Sequence, residues 1–95
     1  MATFVLSFRG PEGRNATAEE EAEWGAWFGE LGGSVTSGER VGRVQALGDG
    51  GDGVTLTGYA VVTAANFDAA VDLAKGCPGL RHGGGVEVGE TVDMG

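Results

Sequence analysis

The chain has 95 residues, of which six are basic and fourteen are acidic, so its formal net charge at pH 7 is −8. This length predicts one domain over residues 1–95, because a second hydrophobic core would need more residues. The negative charge repels phosphate backbones and anionic lipid surfaces, so we expect no nucleic-acid partner and no membrane partner.

The first predicted element is a β-strand. Polar Thr3, Ser7 and Arg9 alternate with apolar residues, and this two-residue period is typical of a strand with one buried face. Val5 interrupts the polar set, so the second face is mixed. The predicted buried face consists of Phe4, Leu6 and Phe8. Residues 10–13 place a proline between glycines and predict the end of the strand.

A capped helix is predicted over residues 18–31. Thr17 and Glu20 have the spacing of a capping box, in which the hydroxyl accepts from a helix N–H group and the carboxylate reaches back to the cap. Apolar residues recur at i, i+3, i+4 and i+7, as one face of a helix requires. The predicted stripe is Trp24, Trp27, Phe28 and Leu31. Gly32 and Gly33 predict the helix end, because glycine readily adopts the left-handed conformation found there.

The middle of the chain is less regular and then contains the clearest strand. Residues 34–47 predict one short strand or two, interrupted at Gly38 and Gly42, and residues 48–53 predict a glycine-rich turn. Residues 57–64 predict a strand that is apolar on both faces. Its first face carries Ala60, Val62 and Ala64, and its second face carries Tyr59 and Val61.

A second helix and a last strand complete the pattern. Asn66 is a typical N-cap, and Gly76 and Pro78 have the positions that usually end a helix. The predicted buried stripe of this helix is Phe67, Ala70, Val71 and Ala74. Residues 86–92 predict the final strand.

The order β-α-β-β-α-β is that of the ferredoxin-like α+β fold, in which two helices cover one face of a four-stranded antiparallel sheet. The strand at 57–64 has an apolar second face that the helices leave open. A second copy of the chain would cover that face, so the sequence predicts a homodimer.

The chain resembles the YCII-related family, in particular a short actinobacterial-type branch of it. The motifs that carry the resemblance are Trp24-x-x-Trp27-Phe28-x-x-Leu31-Gly32, Leu56-Thr57-Gly58-Tyr59, Asp68-Ala69-Ala70-Val71-x-x-Ala74-x-Gly76-Cys77-Pro78 and Gly84-Gly85-x-Glu87-Val88. The resemblance implies a ferredoxin-like fold and a dimeric α/β barrel. In some members a His–Asp pair with its histidine near the first helix has been proposed as catalytic. Here that helix contains no histidine, and Asp52-Gly53-Val54-Thr55 replaces the Asp-Gly-Pro-Phe signature of another branch.

Two single residues have reactive side chains. His82 is the only histidine, and no aspartate or cysteine has a spacing that indicates a dyad, so we interpret it as a solvated loop residue. Cys77 lies at a helix C-terminus, where the dipole disfavours a thiolate, so we expect a structural and partly buried thiol. A single cysteine forms no internal disulfide and fits a reducing compartment, which predicts a cytoplasmic protein.

Metal and cofactor signatures are not found in the sequence. Asp49 and Asp52 lie in a glycine loop, but an EF-hand needs about five oxygen ligands that end in a glutamate at position twelve, where this chain has Ala60. Phosphate-binding glycine motifs and zinc spacings are also missing. We therefore expect no metal and no cofactor.

Strand parity predicts the ligand-binding site. If the apolar residues of the strands face the helices, then one polar set faces the opposite side of the sheet. That set is Ser7, Arg9, Tyr59 and Glu87. A few convergent polar groups among apolar walls are typical of small-molecule sites. Alternatively, these groups satisfy one another across the dimer interface.

The functional prediction is a small dimeric domain that binds a small organic ligand and catalyses no robust reaction. One alternative is a cofactor-independent lyase, isomerase or oxygenase for an aromatic or polyketide-like substrate, in which Tyr59, Glu87 or Arg9 handles protons. The resemblance suggests another alternative, a regulatory interaction protein, since some relatives are encoded beside alternative sigma factors.

Overall fold

The computed structural model describes residues 2–11, 16–48 and 54–92. The expectations for residues 49–53, which include Asp49 and Asp52, therefore lie outside the described residues. The elements in chain order are β1 Ala2–Pro11, α1 Ala18–Leu31, β2 Val35–Arg40, β3 Val54–Ala64, α2 Phe67–Ala74 and β4 Gly85–Glu90. Short 3₁₀ turns lie at Gly32–Ser34 and Pro78–Arg81.

The four strands form one sheet in the order β2-β3-β1-β4, and all neighbouring strands are antiparallel. This is the ferredoxin-like α+β arrangement, as predicted. The central strands β1 and β3 bury alternate side chains, so one face of the sheet meets the helices and the other faces away from them.

The core lies between the helices and the inner face of the sheet. Phe4 and Leu6 of β1 are fully buried and Phe8 is nearly so, which confirms the predicted face of the first strand. Burial of a phenylalanine or leucine side chain stabilises a fold by roughly 1.5–3 kcal/mol. The inner residues of β3 are Ala60, Val62 and Ala64, and they too are buried.

The predicted helix starts are confirmed. The Thr17 hydroxyl accepts a hydrogen bond from the backbone N–H of Glu20 at 3.2 Å, and the Asn66 side chain accepts one from Ala69 at 2.8 Å. Helix α1 covers the predicted residues and ends at Gly32, whose φ is 52°. Both caps satisfy N–H groups that have no partner inside the helix.

The region between the first helix and the third strand differs from the prediction. Residues 34–47 contain one described strand, β2, and Gly38 lies inside it instead of interrupting it. A Cβ atom at Gly38 would lie 2.8 Å from the carbonyl oxygen of Tyr59. Glycine is used here because the backbones of β2 and β3 approach closely, which its missing side chain permits.

The predicted stripe of α2 is correct at Ala70 and Ala74 but wrong at Phe67, which is 45% exposed. Phe67 is the first residue of α2, and its ring packs edge-on against Phe4 with the centroids 6.1 Å apart. Because Phe67 lies at the start of the helix, the rest of its ring extends past the edge of the core and stays exposed. The last strand also begins and ends earlier than predicted, at Gly85–Glu90.

Candidate functional site

Three of the four predicted site residues lie in one row across the sheet. Ser7 of β1 is directly opposite Tyr59 of β3 and Glu87 of β4, and Tyr59 is opposite Glu39 of the edge strand β2. These residues alternate with the buried positions, so they occupy the face turned away from the helices, which we call the open face. The predicted placement of Ser7, Tyr59 and Glu87 on the face away from the helices is therefore correct. That this row binds a ligand stays a prediction.

Arg9 is displaced from this row by an irregularity in the β1–β3 pairing. Phe8 is opposite Gly58, but Arg9 is opposite Leu56, so Thr57 is an extra residue on β3. The Thr57 hydroxyl donates a hydrogen bond to the Phe8 carbonyl oxygen at 3.3 Å. Such a bulge increases the local twist of the strands. The guanidinium of Arg9 is thus not placed in register with Tyr59.

A cavity of about 1000 Å³ lies on the other, helix-covered side of the sheet, between α1 and strands β2 and β3. We call it the α1–β2 cleft, and its borders include Glu20, Trp24, Phe28, Gly38, Arg40 and His82. Arg9 and Tyr59 also border it, but Ser7 and Glu87 do not.

The cleft exists because few side chains fill the corner beside α1. The aromatic stripe of α1 packs onto Phe8 of β1, with Phe8 and Trp24 centroids 4.9 Å apart in an edge contact. On β3 and β2, the neighbouring helix-side positions are Gly58 and Gly38. A Cβ atom at Gly58 would lie 3.0 Å from the carbonyl oxygen of Glu39, so the backbone of β2 is pressed close to β3 there. The floor of the cleft is therefore largely backbone.

The cleft combines aromatic rings with charged side chains. Trp24 and Phe28 are half-buried, and their rings are tilted by 30° with centroids 6.0 Å apart. Arg40 reaches from β2 toward α1, and its Nη2 atom lies 3.8 Å from Oε1 of Glu21. Both of these charged side chains are mostly exposed, so this pair contributes little to stability.

His82 joins two carboxylates of α1 at one end of the cleft. Its Nε2 atom is 2.6 Å from Oε2 of Glu23, and its Nδ1 atom is 3.7 Å from Oε1 of Glu20. Arg81 places Nη2 3.5 Å from the second oxygen of Glu23. Glu20 and Glu23 are three residues apart, so they project from the same side of the helix. We call these four residues the His82 cluster.

His82 lies in a loop, as predicted, but its side chain is only partly exposed to solvent. Its side chain is 30% exposed and is held against α1 by the contact with Glu23. The backbone that presents it is also held, since His82 donates to the Gly79 carbonyl at 3.1 Å and Gly84 donates to the same oxygen at 2.9 Å. Gly83 has a φ of 79°, which favours glycine.

The His82 cluster changes the acidity of Glu23. The hydrogen bond with His82 is the largest cause of a lowered Glu23 pKa, and the charges of His82 and Arg81 lower it further, against an opposing effect of desolvation. Glu23 therefore remains an ionised acceptor at neutral pH. Sequence reasoning missed this cluster because 59 residues separate Glu23 from His82.

Cys77 has the structural role that was predicted. The residue is 1% exposed, and burial raises the pKa of its thiol, although hydrogen bonds with Gly79 and Leu80 act in the opposite direction. A neutral buried thiol is a poor nucleophile. We therefore assign Cys77 to packing.

The described residues contain no group of three or more histidine, cysteine, aspartate or glutamate side chains arranged to hold a metal ion. In the same part of the chain, neither helix has the length and apolar character needed to span a bilayer. No protein-family model matches the chain, and neither does any curated protein.

Proposed function

We propose that the chain is a small-molecule-binding domain and that its ligand lies in the α1–β2 cleft. The observation that carries this proposal is the cavity itself, which joins an aromatic wall to several charged groups within about 1000 Å³. Small-molecule sites typically enclose about 300–1,000 Å³ and combine apolar walls with a few polar groups.

The open face is the weaker candidate for the ligand. A ligand is held when most of its own surface leaves water, and this requires a concave site. The row of Ser7, Tyr59 and Glu87 lies on a sheet surface, which encloses a molecule only when a second copy covers it. The cleft is concave within one chain.

The walls of the cleft indicate the kind of ligand. The half-buried rings of Trp24 and Phe28 offer apolar surface to a planar molecule, and offset or edge contacts with such rings are favourable. Charged groups in the lining, among them Arg40 and His82, suit a ligand with hydrogen-bonding substituents. We therefore propose a planar organic molecule with polar groups at its edge.

The chain contains its own reporters for a binding experiment. Trp24 borders the cleft, whereas Trp27 is 4% exposed and serves as an internal control. His82 and Tyr59 are the single histidine and the single tyrosine. Planar aromatic acids and heteroaromatic bases would be added at millimolar concentration while the side-chain NMR signals of these four residues are followed.

Binding in the cleft is expected to shift the indole signal of Trp24 and the imidazole signals of His82 and to leave Trp27 in place. Shifts of the backbone signals of Ser7 and Glu87, which do not border the cleft, without a shift of Trp24 would move the site to the open face. If no compound of the set moved the Trp24 signal, the proposed function would be contradicted.

We also propose that a second copy of the chain covers the open face. Its centre carries Val5 and Val61, which are directly opposite each other, beside the half-buried Tyr59. Light scattering at micromolar concentration should give about twice the chain mass of 9.6 kDa. The substitution Val61→Glu should produce monomers, whereas the exposed helix substitution Glu30→Gln should not. A monomeric parent protein would rule this out.

Two broader proposals rest on the sequence. The tryptophan, Gly-Cys-Pro and glycine-loop motifs support membership of the YCII-related family. The single buried and free Cys77 supports a location in the cytoplasm, where thiols remain reduced.

A further inference from the structure

In the His82 cluster a carboxylate holds a histidine ring in a fixed position, as it does in many acid–base sites. A short contact holds one ring nitrogen of His82 on Glu23, while the ring itself borders the α1–β2 cleft. We infer that His82 is a general base for a ligand in the cleft, with Nδ1 as the accepting atom and Glu23 as the residue that orients the ring. This inference rests on the proposed function of the cleft.

The geometry determines which nitrogen is basic. An ionised carboxylate has no hydrogen, so the 2.6 Å contact between Nε2 of His82 and Oε2 of Glu23 requires the proton on Nε2. In the neutral ring the lone pair is then on Nδ1. Within the described residues Nδ1 makes no hydrogen bond, and it lies 3.7 Å from Oε1 of Glu20. A carboxylate that selects the tautomer of a histidine base is a known catalytic arrangement.

The charged groups beside the ring include an acceptor on the side of Nδ1. Among the described residues, the charged groups that contact His82 or Glu23 include Glu20 on α1 and Arg81 on the 3₁₀ turn. The Nδ1–H that forms on protonation points toward the side of Glu20, where a carboxylate oxygen can accept a hydrogen bond.

The reaction class is proton transfer from a carbon acid. The C–H bond of the ligand breaks, its electron pair stays on the ligand as an enolate or a stabilised carbanion, and the proton forms a bond with Nδ1. Return of this proton to a different atom gives an isomerisation, and expulsion of a leaving group gives an elimination. Neither route needs an oxidant, a reductant or a cofactor. The matching substrate is a planar carbonyl or heteroaromatic compound with an acidic C–H bond.

The test uses 5-nitrobenzisoxazole as a planar probe. A base removes its C3 proton, the ring N–O bond breaks, and the coloured 2-cyano-4-nitrophenolate forms, so atoms and electrons balance without another reactant. The untagged protein should give a saturable rate, and His82→Gln should lower kcat by about 100-fold, which is the lower end for general acid–base catalysis. The exposed α1 substitution Glu30→Gln should retain the parent rate and thermal stability.

The proposed role of Glu23 is tested by a measurement that a purely structural role would not affect, namely the tautomer of His82. Nitrogen NMR of the single imidazole should show a protonated Nε2 and an unprotonated Nδ1 in the ligand-free parent protein at a pH where the ring is neutral. Glu23→Gln should lose this tautomer preference, because an amide both donates and accepts. Its kcat should fall by about tenfold or more while the Trp24 signal still reports probe binding.

The outcomes separate this inference from the proposed function. If the probe moves the Trp24 signal but His82→Gln reacts as fast as the parent, His82 is no base and the cleft proposal stands. A neutral ring protonated on Nδ1 in the free protein overturns the inference without any ligand. A Trp24 signal that the probe does not move contradicts the cleft as its site and removes the inference with it.

Discussion

The two sides of the sheet present functional groups in different ways. On the open face, Ser7, Tyr59 and Glu87 lie side by side because their strands are paired in register. On the helix side, Glu23 and His82 meet because a loop 59 residues further along the chain folds against α1. The first arrangement follows from strand parity alone. The second arrangement depends on packing, and it lies on the side of the sheet that has the cavity.

The largest expected effect contrasts the two faces of β1. Phe8→Ala removes a nearly buried ring that contacts three aromatic residues of α1, and it should destabilise the protein by about 3–5 kcal/mol. Val5→Ala, on the open face of the same strand, is the matched control and should cost much less in the isolated chain. Urea unfolding measures both values.

The control has a second use. If Val5→Ala destabilises the protein nearly as much as Phe8→Ala at high protein concentration but not at low concentration, a second copy covers the open face. Equal and concentration-independent losses would contradict the contrast between the two faces.

The next effect concerns the floor of the cleft. Gly38→Ala places a Cβ atom 2.8 Å from the Tyr59 carbonyl oxygen, so the edge strand β2 must shift. Overpacking of this kind typically costs about 1–3 kcal/mol. Gly29→Ala is the control, because a Cβ atom there meets nothing within 4 Å and alanine favours a helix. Thermal melts should show a lower Tm for the first variant and an unchanged or higher Tm for the second.

A smaller effect is expected at the helix caps. Thr17→Ala and Asn66→Ala each remove a side-chain acceptor for a helix N–H group, at a cost of about 1 kcal/mol. Only α1 carries Glu20 and Glu23, so only the Thr17 variant should also shift the imidazole signals of His82. Identical His82 spectra in both variants would show that the cluster does not depend on the first turn of α1.

The smallest effect is a pH dependence that arises from Glu23. Because the pKa of Glu23 is lowered in the folded protein, its ionised form stabilises the fold above the ordinary carboxyl pKa, and this contribution is lost as the pH falls through the lowered value. Glu23→Gln should therefore be less stable than the parent near pH 7 and equal to it in strong acid. Unfolding curves recorded across this range test the sign. A stability difference independent of pH would contradict the assigned ion pair.

Most of the secondary structure is predictable because its signals are local. The alternation of Phe4, Leu6 and Phe8 defines a strand face, and the spacing of Thr17 and Glu20 defines a helix start, without information from elsewhere in the chain. The errors occur where tertiary contacts override local preference. The sequence pattern predicts a break at Gly38, but this residue lies within β2 and permits close contact between strands.

The sequence by itself determined the order of the elements, their inner faces and the placement of Ser7, Tyr59 and Glu87 on the open face, because periods of two and 3.6 residues specify where side chains point. Only the tertiary structure decided that the cleft lies beside α1 and that His82 meets Glu23. Contacts between residues far apart in the chain depend on how helices and loops pack on the sheet, and no local period encodes that distance.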